Sequence, residues 1–109
     1  MDTTTIDMFN KLIGKDLWVL CNTAYGLYYI HPVLINGDTC TYRCVSKVKL
    51  TNWPEDLLLS SVLDWYHKLN IQYFDVITPI QLYSTAELIE PICNAQGLDL
   101  AQILEDYGI

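Results

Sequence analysis

The segment "GLYYIHPVLINGDTCTYRCVSKVKL", Gly26 to Leu50, carries the strongest local structural signal in this chain of 109 residues. Two runs rich in aromatic and β-branched residues flank Asn36-Gly37, and such a pair supplies the two positive-φ residues of a type I′ turn. The segment therefore predicts a tight β-hairpin. Pro32 interrupts the first arm and cannot donate a hydrogen bond to a sheet, so we expect an edge or a β-bulge there.

The same turn predicts which side chains of the two arms share a face. With Asn36 and Gly37 as the loop, Ile35 pairs with Asp38. The charged side chains of the second arm then lie on one face, so the opposite face is expected to meet the core. The predicted core face consists of Leu27, Tyr29, His31, Val33, Cys40, Tyr42 and Cys44.

Cys40 and Cys44 are expected to be core residues rather than ligands of a metal or halves of a disulfide. Positions four apart on a strand are separated by about 13 Å. Two thiolates on one zinc ion lie within roughly 4 Å of each other, and a disulfide needs Cα atoms closer than about 7 Å. His31, on the same predicted face, could lower the pKa of one of these thiols. A thiol enzyme using His31 with Cys40 or Cys44 is therefore one alternative function.

Before and after the hairpin, the hydrophobic periodicity changes between helical and extended. Apolar residues at helical spacing predict a short helix in residues 3–14, and β-forming residues predict a strand in 16–22. Beyond the hairpin, residues 51–70 predict a central helix. Its apolar face comprises Leu58, Val62, Trp65, Tyr66 and Leu69.

The C-terminal third predicts one more strand and two short helices. The strand lies within residues 72–83 and is expected to bend or end near Pro79. Residues 84–87 form a capping box that opens a helix, and Pro91 is expected to kink or break that helix. Asp99 caps the final helix.

This order predicts a single domain over residues 1–109 with an α+β fold. Its small antiparallel sheet comprises a three-strand N-terminal meander and one later strand. The central helix and the short C-terminal helices are expected to cover one side of this sheet. A partly closed, SH3-like barrel is also compatible with the pattern. A hydrophobic fraction of 51% with 17% charged residues is typical of a globular chain.

The charge is unevenly distributed along the chain. Residues 1–54 hold five basic and four acidic residues, whereas residues 55–109 hold one basic and nine acidic residues, giving a net charge of −7. Arg43, Lys47 and Lys49 are interpreted as a solvated basic stripe on the hairpin. Such a balance argues against binding a phosphate backbone, which needs clustered basic side chains. A partner protein with a basic or mixed surface is more natural.

Part of the acidic charge has a local role, because several carboxylates fall at predicted helix N-termini, where they stabilise a helix. These are Glu55, Asp56, Glu87 and Asp99. The remaining acids leave open another alternative, which comes before the thiol enzyme. In it, the protein is an inhibitor that mimics nucleic acid and occupies the basic cleft of a nucleic-acid-binding protein, as small phage-encoded antagonists of host defence do.

The chain start, "MDTTTIDMF", is acidic where a signal peptide is basic, and no apolar run approaches the ~20 residues that span a bilayer. These features predict a cytoplasmic protein whose cysteines are reduced. We expect it to bind no membrane, metal or cofactor. We further expect an exposed sheet edge at Pro32, which would allow a homodimer.

The predicted function is therefore non-catalytic binding of another protein by steric docking. Tyrosine supplies a large amphipathic ring that is enriched at interfaces, and this chain has eight tyrosines. The candidate partner-binding residues are Tyr25, Tyr28, Tyr73, Tyr83, Asp75, Glu90, Glu105 and Asp106.

Overall fold

The computed structural model describes residues 4–52, 59 and 66–108. In chain order the elements are α1 (Thr4–Leu12), β1 (Trp18–Thr23), β2 (Gly26–Asn36), β3 (Thr39–Ser46), α2 (Lys47–Thr51), β4 (His67–Asn70), a 3-10 helix (Ile71–Tyr73), β5 (Asp75–Val76), β6 (Leu82–Tyr83), α3 (Thr85–Gln96) and α4 (Leu100–Asp106). The predicted α+β fold with a small antiparallel sheet is confirmed. None of the helices in these ranges is long and apolar enough to cross a membrane.

Within the described residues, the strands form one sheet in the order β4-β3-β2-β1-β5, and β6 also pairs with β1. Only residues 71–74 separate β4, at one edge, from β5, at the other. Five Cα steps span at most about 18 Å. Four strand spacings of about 4.8 Å would already place the edges of a flat sheet roughly 19 Å apart. The sheet therefore curls, but it does not close into a barrel.

The predicted hairpin is present, although its loop lies one residue later than expected. Asn36 pairs with Thr39, so Gly37 and Asp38 form the loop. Gly37 has a φ of 62°, whereas no non-glycine residue in the described ranges has a positive φ. A glycine at the first loop position suits a type II′ turn, which needs only one positive φ. The type I′ prediction is therefore wrong.

The β-bulge expected at Pro32 is confirmed. The register shifts between Pro32 and Leu34, which leaves Val33 as the extra residue. β2 lies between β1 and β3, however, so Pro32 is not at an edge. The homodimer expectation depended on an exposed edge at that strand, and this basis for it is wrong.

The bulge also reverses the predicted faces of the first arm. A loop that lies one residue later changes the partner of each residue by two positions, so every side chain keeps its predicted face. One extra residue at the bulge, however, inverts the alternation of faces for the residues of β2 that precede it. As a result Cys44 lies opposite Ile30, and His31 lies opposite Arg43. The prediction that His31 shares a face with Cys40 and Cys44 is wrong.

The sheet is covered on both faces, whereas the sequence predicted that only one face would be covered. Adjacent residues of β1, Trp18 and Val19, are both buried, and they belong to different hydrophobic clusters. The first core, on the side of α1 and the 3-10 helix, comprises Phe9, Leu12, Val19, Cys21, Ile30, Cys40, Ile71 and Phe74. The second core, on the side of α3 and α4, comprises Trp18, Val45, Leu59, Ile89 and Cys93.

The central helix predicted for residues 51–70 is contradicted at its C-terminal end. Residues 67–70 form β4 and pair with β3, with Leu69 opposite Cys40. Residues 53–58 and 60–65, including most of the predicted apolar face, lie outside the described residues. The short helix α2 ends at Thr51, where the prediction began.

The single strand predicted in residues 72–83 is divided into β5 and β6, and Pro79 lies between them. The capping box of Ser84 and Glu87 is confirmed, as is the N-cap at Asp99. Pro91 does not break α3, which continues from Thr85 to Gln96. The cost of one lost backbone hydrogen bond is offset because buried residues flank Pro91 and fasten both halves of the helix to the second core.

Candidate partner-binding surface

Tyr25 lies in the turn between β1 and β2, and its side chain is 86% exposed. The backbone beneath it is fixed by its neighbours. The Tyr25 N–H donates to Thr23 Oγ1 at 3.2 Å, and that hydroxyl donates to the Gly26 carbonyl at 3.0 Å. Gly26 has a φ of 117°, a conformation that side chains other than glycine rarely adopt. The turn thus presents a large aromatic ring on a backbone held by hydrogen bonds.

Asp75 lies at the same end of the sheet as this turn. Asn22 on β1 pairs with Asp75 on one side and with Leu27 on the other. Asp75 and Leu27 are both exposed. We call these three exposed residues at one end of the sheet, Tyr25, Leu27 and Asp75, the turn surface. It combines an aromatic ring, an aliphatic side chain and a carboxylate.

The other three candidate tyrosines differ in exposure. Tyr73, in the 3-10 helix, is 55% exposed. Tyr28 is half-buried against the first core. Tyr83, also half-buried, places its ring edge-on against Tyr29 at 5.4 Å and donates from its hydroxyl to Gln81 Oε1 at 2.6 Å. Tyr28 and Tyr83 therefore contribute mainly to packing.

The remaining acidic candidates lie on other elements. Glu90 is on α3, and Glu105 and Asp106 are at the end of α4. All three are exposed, and Asp106 accepts a hydrogen bond of 2.8 Å from Gln102 Nε2. Because α3 and α4 pack against the second core, these acids lie away from the 3-10 helix and Tyr73. The structure does not bring the eight candidates into one surface.

A groove that the sequence did not predict lies beside Asp75. Its volume is about 420 Å³. It is lined by Thr5, Ile6, Asp38, Asn70, Ile71, Gln72, Phe74 and Asp75. These residues come from three separate parts of the chain, which are brought together by the pairing of β4 with β3 and by the packing of α1 on the first core. No local pattern could therefore have indicated the groove.

Hydrogen bonds join the walls of this groove. The Ile71 N–H donates to the Asp38 carbonyl at 2.7 Å. Thr5 Oγ1 donates to the Phe74 carbonyl at 3.3 Å, which fastens α1 to the segment before β5. Asn70 Oδ1 caps the 3-10 helix by accepting from Gln72 N–H at 3.0 Å. The shape of the groove is therefore set by the fold.

His31 is enclosed on the face of the second core. Its Nδ1 donates to the Leu17 carbonyl at 3.0 Å, and its ring stacks on Trp18 with a centroid separation of 5.1 Å. Burial lowers the pKa of His31 from its ordinary value, with a further lowering by Arg43, although the hydrogen bond to Leu17 opposes this. The imidazole is therefore favoured in its neutral form.

The thiols lie in surroundings that disfavour the reactive thiolate. All four cysteines are unpaired. Burial raises the pKa of Cys40 to about 11 and that of Cys21 to about 12, and it also raises the pKa of Cys44 and Cys93. His31 is on the opposite face of the sheet from Cys40 and Cys44. In the described part of the chain, no three His, Cys, Asp or Glu side chains are grouped so as to hold a metal ion.

The predicted basic stripe on the hairpin is not formed. Arg43 is only 7% exposed. Its guanidinium lies 4.7 Å from the centre of the Tyr66 ring and donates from Nη2 to the Tyr66 hydroxyl. Lys47 and Lys49 belong to α2 rather than to the strand. Arg43 is thus part of the interior, and Tyr66 covers it.

No protein-family model matches this chain, and no curated protein or solved structure matches it either. We therefore infer the function from the geometry and charge of the chain itself.

Proposed function

We propose that this protein acts by binding another protein, without catalysis, and that Tyr25 is the centre of its docking surface. The observation that carries this proposal is the 86% exposure of Tyr25 on a turn fixed by Thr23. A tyrosine ring buries much area on binding while losing little conformational entropy. A backbone already held in place lowers the ordering cost further.

The charge of the chain indicates the kind of partner. The net charge is −7, and the turn surface itself contains the carboxylate of Asp75. A partner with a basic or mixed surface would be attracted over a distance, and complementary charges would orient it. The mechanism is steric, because no other molecule can bind the surface of the partner that this protein covers.

The chain offers a matched control for testing this proposal. Leu34 is 57% exposed on β2, opposite Thr41, between the bulge and the hairpin loop. It is an apolar side chain near the opposite end of β2 from Tyr25 and Leu27. A photoreactive phenylalanine placed at position 25 or at position 34 should therefore report on two separate regions.

In cell extract, we expect position 25 to cross-link to one distinct protein that position 34 does not capture. The substitution Tyr25→Ser should reduce recovery of that same protein. Equal cross-linking from both positions, or unchanged recovery after Tyr25→Ser, contradicts the proposal.

The acidic helices support a second candidate, an inhibitor that occupies the basic cleft of a nucleic-acid-binding protein. Glu90, Glu105 and Asp106 are exposed on α3 and α4. Glu87 and Asp99, in contrast, accept hydrogen bonds at helix N-termini. This leaves fewer carboxylates for mimicry of phosphates, so the turn surface remains the preferred docking site.

A further inference from the structure

We propose that the groove beside Asp75 receives a basic side chain, arginine or lysine, of the partner protein. This inference rests on the proposed function, because the side chain belongs to the bound protein. It adds the chemistry that the partner must present. Three features of the groove support it: its apolar lining, its acidic residues and its position.

The groove lies over the first core, and among its apolar lining residues Ile6 is the half-buried one. Ile71 and Phe74 are buried members of the first core, and Ile6 is packed against them. Arginine and lysine carry their charge on an aliphatic stem that packs on apolar surface while the charged end stays near water. Ile6 offers apolar surface to such a stem.

Two acidic residues are among those that line the groove. Asp38, at the hairpin loop, and Asp75, at the start of β5, are both exposed carboxylates. Among the described residues that line the groove there is no lysine or arginine. A guanidinium or ammonium group entering the groove would form charge-assisted hydrogen bonds, which are stronger than neutral ones.

The groove is also adjacent to the turn surface. Asp75 lines the groove and belongs to the turn surface as well. One partner could therefore contact Tyr25 and place a basic side chain in the groove at the same time. The hydrogen bonds of Thr5 and Ile71 hold the walls in place before binding, which limits the ordering cost.

The test is an NMR titration of the full chain with a short probe, acetyl-Gly-Arg-Gly-amide. The matched probe contains citrulline, which has nearly the same shape as arginine but no charge. We expect amide shifts confined to Thr5, Asp38 and residues 70–75. The citrulline probe should bind about tenfold more weakly, as the loss of one charged hydrogen bond predicts.

Variants separate the groove from the general acidity of the protein. Asp38→Asn with Asp75→Asn should abolish the confined shifts. Glu90→Gln with Asp106→Asn removes the same charge from exposed positions on α3 and α4, and it should leave them intact. Equal binding of the two probes, or equal weakening by both double variants, overturns the proposal. So does binding of Ca²⁺ that displaces the arginine probe from the groove.

Failure of the groove is distinguishable from failure of the docking surface. If position 25 still cross-links its protein while the arginine probe gives no confined shifts with the unsubstituted chain, the groove proposal is wrong and the proposed function stands. If the probe binds the groove but position 25 captures nothing, the turn surface is wrong as the docking site.

Discussion

The indole Nε1 of Trp18 donates a hydrogen bond of 2.8 Å to Thr85 Oγ1, which joins the first residue of β1 to the first residue of α3. Thr85 in turn donates from its hydroxyl to Asp16 Oδ1, and its backbone N–H donates to the same oxygen at 3.0 Å. The carboxylate lies at the positive end of the helix, where a negative charge is stabilising. This buried network positions α3 on the sheet.

We predict that Thr85→Val lowers the free energy of unfolding by about 2 kcal/mol. The substitution keeps the shape of the side chain but leaves the Trp18 indole without an acceptor, and an unsatisfied buried donor costs about 1–3 kcal/mol. Urea unfolding followed by tryptophan fluorescence measures the change. Thr39→Val, at an exposed strand position, is the control and should change stability by less than about 0.5 kcal/mol. Equal effects of the two substitutions contradict a role for the network.

Stability should fall as the pH is lowered below neutrality. Burial lowers the pKa of His31 below its ordinary value of 6.5. As the pH falls, the unfolded chain therefore binds a proton before the folded chain does, and this shifts the equilibrium toward the unfolded state. The contribution of His31 to the free energy of unfolding is fully present above pH 6.5 and decreases as the pH falls toward the lowered pKa of the folded protein. The free energy of unfolding at pH 7.5 and at pH 5.5 measures it.

The variant His31→Gln provides the comparison for the pH dependence. It removes the imidazole and should therefore show a smaller loss of stability between the two pH values. An identical pH dependence of the wild type and the variant contradicts the assignment to His31.

The cysteines should react slowly with iodoacetamide in the folded protein at pH 7.4. Raising a thiol pKa from 9.0 to about 11, as burial does for Cys40, reduces the thiolate fraction about a hundredfold. In 8 M urea all four thiols should react at the rate of a free cysteine. Mass spectrometry of the alkylated peptides measures each site. A thiol that reacts as fast folded as unfolded would support the thiol-enzyme alternative.

Salt dependence should distinguish the two binding functions. Docking led by Tyr25 depends mostly on apolar burial, so affinity should fall less than about tenfold between 50 and 300 mM salt, because only exposed charges are screened. A mimic of nucleic acid should lose affinity much more steeply over the same range. Surface plasmon resonance with the cross-linked partner, once purified, gives both dissociation constants.

Local signals in the sequence predicted the features that depend on neighbouring residues. The hairpin, the bulge at Pro32 and the capping box at Ser84 each depend on side chains a few positions apart. The face assignment of His31 was wrong because one extra residue in the bulge inverts the alternation of the arm. The presence of a bulge was predictable, whereas its effect on register required the structure.

Features that depend on distant residues were not predictable. Residues 67–70 read as the end of a helix, but their backbone groups pair with β3, and tertiary pairing overrides local propensity. The groove beside Asp75 joins residues of α1, the hairpin loop and residues 70–75, which are distant in the sequence. Of the candidate site, the sequence indicated Tyr25 and Asp75 but gave no sign of Asp38.

The most direct test of the central claim is the affinity of the cross-linked partner for Tyr25→Ala and for Leu34→Ala, measured by calorimetry. If Tyr25 anchors the interface, its removal costs at least about 2 kcal/mol, or roughly thirtyfold in dissociation constant. Leu34→Ala should change the constant by less than about threefold, as for a residue outside the interface. A Tyr25→Ala protein that binds as tightly as the wild type would contradict the account.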